Sequence, residues 1–263
     1  MTITAPDGTD VQFHDEGTGH PIVLLHPGLD DGTRDHKLAA RLARRFRVIR
    51  LHRRQYRLDL TTLPCTIAQE VDDVLAVVRS LDEPAFLYGH SDGGVVALEA
   101  LAASPSSFTG AVVFEPAAAI GPPLGGEILA QAQAALKAGS PGRAMALFFR
   151  QTVGLPPWQA RLAGAAVALV PKYRRLVPGQ LNSLAALDEL GVRLDVYARV
   201  PVPTVLLGGD RSPVHLAERL NAIAAVMPHA TRVTMRGRDH GADLKYPDEI
   251  AAIIEAQVDP TWL

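Results

Sequence analysis

The chain has 263 residues, 48% of them hydrophobic, and a formal charge of −2. That length suits one α/β core with an insertion, or two small domains, and the apolar content is enough for a sizeable core. The near-neutral charge, without a basic block, argues against a nucleic-acid or anionic-membrane partner. A single cysteine, Cys65, rules out an intramolecular disulfide framework and fits a reducing compartment, and with no CxxC or adjacent histidine it has no metal or nucleophile role. No basic-then-apolar leader opens the chain, and no apolar run nears the roughly 20 residues that span a bilayer. The expectation is a soluble, cytoplasmic protein.

The first 20 residues alternate short β-like pieces with turns, a hairpin signature. Pro21 to Leu25 is a continuous apolar run, as expected of a strand buried on both faces, and it stops at His26-Pro27-Gly28-Leu29. Helical spacing follows from about Arg34 to Arg45, and Arg47 to Leu51 reads as the next strand. The arginines at positions 41, 44, 45, 47, 50, 53, 54 and 57 are read as a solvated helix face and sheet edge. Thr66 is a good N-cap for a helix carrying Ile67, Val71, Val74, Val78 and Leu81.

Phe86 to Ser91 predicts a strand, followed at once by an amphipathic run that ends near Ser104-Pro105. Phe108 to Phe114 is another buried strand, ending at Glu115-Pro116. From Ala117 to about Arg199 no convincing strand occurs. Alanine-rich helical stretches are divided there by Gly121-Pro122-Pro123, Gly139 to Gly142, Pro156-Pro157 and Pro178-Gly179. The strand–helix rhythm resumes with Pro203 to Leu207, a helix around Val214 to Met227, the strand Arg232 to Met235 and a closing helix from Pro247 to about Val258. Strands alternating with helices predict a mostly parallel sheet.

The stretch Gly89-His90-Ser91-Asp92-Gly93-Gly94 between strand and helix is a nucleophile elbow. A serine thrust forward at a strained turn needs small residues two positions before and after it, so that strand and helix can pass. Gly89 and Gly93 stand there. This pattern resembles the α/β-hydrolase fold, and the order of elements resembles that family along nearly the whole chain. The resemblance implies a mostly parallel central sheet flanked by helices, with residues 1–116 and 200–263 forming the core and 117–199 a helical cap over the site.

A serine hydroxyl is a weak nucleophile near neutral pH and needs a base, which in turn needs an orienting carboxylate. In this fold the base follows the last strand, and His240 alone stands so after Met235; His229 precedes that strand. For the acid, the family implies two places. In the loop after the penultimate strand, many relatives carry it where this chain has Ser212, leaving Asp210 in a neighbouring position. At the end of the strand after the elbow helix, where haloalkane dehalogenases are similar in using a glutamate, this chain has Glu115. Glu115 is the favoured acid and Asp210 the alternative.

The oxyanion hole requires two backbone donors. Asp92 N–H is one; the other comes from the His26-Pro27-Gly28-Leu29 loop, where Pro27 has no N–H, leaving Gly28 first and Leu29 in reserve. Serine at the elbow argues against dehalogenase and epoxide-hydrolase chemistry, which use aspartate there, and the side chain of Asp92 is expected to point away from the hydroxyl. The implied activity is that of a serine hydrolase on a small-molecule ester, lactone, thioester or related carbonyl. An acyltransferase or cyclase with the same residues, and a ligand-binding member without turnover, are the alternatives. No cofactor or metal is implied, since the glycine pattern is not a Gly-x-Gly-x-x-Gly. The cap aromatics Phe148, Phe149, Trp158 and Tyr173 are read as core before ligand contacts.

Overall fold

The computed structural model describes residues 1–60 and 64–258. Eight strands form one sheet: β1 (Thr2–Thr4), β2 (Asp10–Glu16), β3 (Pro21–Leu25), β4 (Arg47–Leu51), β5 (Ala85–His90), β6 (Phe108–Phe114), β7 (Thr204–Gly209) and β8 (Ala230–Met235). Their order is β1-β2-β4-β3-β5-β6-β7-β8. β1 and β2 are a hairpin, β2 joins β4 antiparallel, and β3 to β8 run parallel.

The continuous apolar runs of β3 and β5 are buried at every residue because helices cover both faces. Successive side chains point to opposite faces, so Val23, Leu25, Leu87, Val113 and Leu206 enter one apolar cluster and Ile22, Leu24, Phe86, Val112 and Leu207 the other. Helices α1 (His36–Leu42) and, at the chain end, α11 (Pro247–Val258) cover the second face. On the first face lie α2 (Ile67–Arg79), α3 (Asp92–Ala103) and α9 (Val214–Val226). Thr66 caps α2 with a full capping box: its hydroxyl accepts the Gln69 N–H, and the Gln69 side chain accepts the Thr66 N–H.

Between β6 and β7 come α4 (Gly126–Lys137), α5 (Pro141–Gln151), α6 (Pro157–Leu169), α7 (Pro171–Leu190) and the single turn α8 (Leu194–Tyr197). Ala132, Ala135, Ala144, Met145, Val167, Val177 and Leu181 give these helices a small core of their own. Pro178-Gly179, expected to divide two helices, lies inside α7, which runs unbroken across it. The reason is packing. Gly179 meets the 3-10 turn Arg54–Tyr56, and a Cβ there would sit 2.6 Å from the Gln55 carbonyl oxygen, so this helix approaches the core along a bare stretch of backbone. After β8 the short helix α10 (Ala242–Lys245) precedes α11. Among the described residues no helix is long and apolar enough to cross a membrane.

Arg44 and Arg45 are exposed, as a solvated face requires, but four of the later arginines are not. Arg53 pairs with Glu70, Arg54 with Asp73 and Asp7, Arg50 with Glu16 and Arg57 with Asp59, and all four arginines are buried. Apart from Asp59, two residues beyond Arg57, their partners come from elements distant in sequence, which spacing along the chain does not reveal.

Candidate active site

Ser91 sits between β5 and α3 with φ 54° and ψ −119°. Its backbone is clamped to β6: its N–H donates to the Phe114 carbonyl (3.0 Å), and its carbonyl accepts from Ala117 N–H (3.1 Å). The turn works only if the crossing is bare, and a Cβ on Gly93 would lie 2.4 Å from the Leu25 carbonyl oxygen. Among the described residues three non-glycine positions have positive φ: Leu29 at 52°, Ser91 at 54° and Glu115 at 43°. Each such residue carries strain of order 1–3 kcal/mol, and such strain concentrates at functional sites. All three belong to the set singled out from the sequence.

Glu115 is 1% exposed at the end of β6, and its Oε2 lies 2.7 Å from His240 Nδ1. Its other oxygen accepts the Gly209 N–H at 2.8 Å, at the end of β7. Burial alone would raise its pKa; the hydrogen bond and charge of His240, with the Gly209 N–H, outweigh that and hold the carboxyl below the usual glutamate range. His240 itself, in the loop after β8, is 32% exposed at its side chain. Asp210 is not the histidine's partner. It begins the turn beyond β7, and its Oδ1 accepts the Gly237 N–H at 2.6 Å, so its carboxylate ties two loops together.

Beneath His240 lies His90, its ring 4.6 Å away and stacked on Phe114 at 4.5 Å. Burial depresses the His90 pKa.

The His26-Pro27-Gly28-Leu29 loop is held by its own histidine. His26 Nε2 accepts the Arg53 N–H at 3.1 Å and Nδ1 donates to the Pro27 carbonyl at 2.8 Å, which fixes a neutral tautomer; burial likewise presses its pKa well down. Arg53 also donates to the His26 carbonyl while paired with Glu70. Gly28 lies against α7: a Cβ there would come within 2.1 Å of Gln180 Oε1 and 2.9 Å of Asp92 Oδ2.

The side chain of Asp92 does not point away from the serine. Tyr56 and Ser183 hydroxyls each donate to its Oδ2 at 2.8 Å, and that anchoring leaves Oδ1 at 3.4 Å from Ser91 Oγ. Tyr56, Gln180 and Ser183 escaped the sequence reading. They stand in a loop and in α7, far from the elbow in the chain, and no motif marks them.

Two cavities meet at Ser91, Asp92 and His240. A narrow one of about 60 Å³ runs between the helices inserted after β6 and α9, among Leu124, Phe148, Val153, Leu184 and His215. A wider one of about 330 Å³ is lined by Gly28, Leu29, Phe148, Phe149 and Tyr173. Three of the four cap aromatics therefore face a cavity, whereas Trp158 is 63% exposed and lines neither. A depression of about 480 Å³ between α5 and α6 contains none of the candidate residues.

A parallel sheet with a strained serine elbow at its carboxyl edge, covered by helices inserted after β6, is the architecture of α/β hydrolases. The profile described as "Alpha/beta hydrolase family" matches residues 22–253, and the chain belongs to that family. Among solved structures it is similar to an alpha/beta hydrolase from Sphaerobacter thermophilus DSM 20745, at 27% identity and a TM-score of 0.85, over 98% of this chain and 100% of that one. It also resembles a thermophilic esterase from Thermogutta terrifontis, determined with malate bound, at 20% identity and a TM-score of 0.77 over 98% and 97% of the two chains. An esterase from Rhodococcus sp. ECU1013 aligns at 24% identity and a TM-score of 0.72, covering 98% of each. Below 25% identity such likeness speaks for the fold alone. No curated protein matches the sequence.

Proposed function

We propose that this chain is a serine hydrolase that cleaves an ester or a related carbonyl substrate through an acyl-enzyme, with Ser91 as nucleophile, His240 as base and Glu115 as acid. The observation that carries the reading is the 2.7 Å contact of Glu115 with His240 Nδ1, beside a cavity that His240 shares with Ser91. With Nδ1–H donated to the carboxylate, Nε2 keeps its lone pair for the serine proton. Ser91 Oγ attacks the carbonyl carbon as His240 takes that proton, and Glu115 stabilises the imidazolium that results. The oxyanion is received by the Asp92 N–H and the Gly28 N–H, with Leu29 N–H in reserve. Collapse expels the alcohol, which leaves with the proton from His240; a water then repeats the sequence on the acyl-enzyme and frees the acid.

The helices between β6 and β7 act as a cap, with residues 117–199 as one unit over a core of 1–116 and 200–263. They exclude water from the narrow cavity and select the substrate. The test is Ser91→Ala. The wild type is expected to turn over small activated esters and to be labelled by a fluorophosphonate, and the variant to lose both, with turnover down by a factor of 10³ or more. Labelling that survives in the variant would refute the assignment.

A further inference from the structure

His215 and Arg219 stand four residues apart on α9 and so share one face of it. Both line the narrow cavity that reaches Ser91 and His240. Arg219 forms no hydrogen bond or ion pair with any described residue; its neighbour Glu218 is exposed and acts on it only through its charge, without an ion-pair contact. An arginine stays charged in proteins, and a desolvated charge without a partner is unfavourable. The buried Arg50, Arg53, Arg54 and Arg57 each have a carboxylate. Half-buried Arg219 has none, and the burial it has depresses its pKa, as it does that of half-buried His215.

A second observation points the same way. From residue 128 to residue 187 the chain holds Lys137, Arg143, Arg150, Arg161, Lys172, Arg174 and Arg175 and no acidic residue. Among the described residues only Lys172 of these is in an ion pair, with Asp31. Against these seven cations α4 to α7 carry three acids, Glu127, Asp188 and Glu189, so the helices inserted after β6 are net positive, which raises the local concentration of an anion.

We infer that Arg219, assisted by His215, is the subsite for an anionic group on the acyl part of the substrate, so that the preferred substrate is a half-ester of a short dicarboxylic acid. The inference rests on the serine-hydrolase reading. The narrow cavity suits the part that stays attached to Ser91, because the alcohol must depart and has the wider cavity as its route. About 60 Å³ admits only a short chain, since roughly 10–15 Å³ is filled by one water. The free carboxylate sits on the guanidinium while water cleaves the ester to the alcohol and the dicarboxylic acid.

The test compares monoethyl succinate with ethyl 4-methylpentanoate, which has the same shape without the charge. The wild type should favour the charged ester in kcat/KM by about tenfold or more, and added sodium chloride should erode the preference. Arg219→Met should lower the ratio of the two by roughly 10- to 100-fold, and Arg219→Lys should restore part of it. Equal turnover of the two esters by the wild type, or a ratio unchanged in Arg219→Met, overturns the subsite. If the wild type cleaves neither ester and Ser91 takes no fluorophosphonate, it is the hydrolase reading that fails. The subsite is then judged by succinate binding: a rise in Tm that Arg219→Met abolishes supports it, and no rise in the wild type overturns it.

Discussion

Glu115 occupies a backbone conformation that a residue with a side chain adopts only under constraint, and the constraint is visible: its N–H is bound to Leu207, one carboxylate oxygen to Gly209 and the other to His240. Glu115→Gln keeps the shape but removes the charge that, in the proposed mechanism, holds Nδ1–H and stabilises the imidazolium. Turnover should fall by roughly 10²–10⁴-fold, whereas Asp210→Asn should change it by less than about threefold. Parallel ester assays of the two variants decide between the acids. At the same scale, Asp35 is buried, its Oδ1 has no hydrogen bond, and burial, Asp243 and Asp30 push its pKa up to about 8. The folded state therefore keeps this proton where the unfolded chain, near 3.8, has lost it. Stability from this group is complete below about pH 4 and declines as pH rises toward about 8. Asp35→Asn should remove that slope, leaving the variant more stable than wild type by ~2 kcal/mol or more at about pH 8 and no more stable near pH 4. Urea denaturation across that range measures it.

At the scale of elements, α2 shows how far local chemistry reaches. Thr66, Gln69 and the apolar spacing after them specify its start without any help from the fold. Thr66→Ala should lower stability by ~1 kcal/mol with catalysis unaffected, a shift of denaturation midpoint at constant slope. α7 is the opposite case. Pro178 removes a backbone hydrogen bond and by local rules ends a helix, yet the helix continues because Leu176, Val177, Leu181 and Leu184 are buried on both sides of it. Tertiary burial outweighs the local defect.

Across the whole molecule, α7 ties the helices inserted after β6 to the elements around the sheet. It carries Ser183 to Asp92 and Gln180 to Gly28, and at Gly179 its backbone lies against the Gln55 carbonyl. Gly179→Ala must push α7 from the Gln55 carbonyl. The expected result is a loss of ~1–3 kcal/mol in stability, with a fall in kcat/KM as the Asp92 contacts loosen. An unchanged denaturation midpoint would show that the approach is not tight in solution.

The sequence by itself determined the parallel sheet, because strands buried on both faces must be continuously apolar. It also determined the elbow, because a serine at a crowded strand-to-helix turn needs glycines on either side. Those features are local, and so are readable in order along the chain. Between Glu115 and Asp210 the sequence could only lean, since both follow strands at the same edge of the sheet. The structure alone sets Glu115 against His240, across 125 positions of chain, and turns Asp210 to Gly237. The pairings of the buried arginines and the Tyr56–Asp92–Ser183 contact were equally illegible, because long-range electrostatic partners carry no period and no spacing. They exist only once burial has brought distant segments together and made each unpaired charge unfavourable.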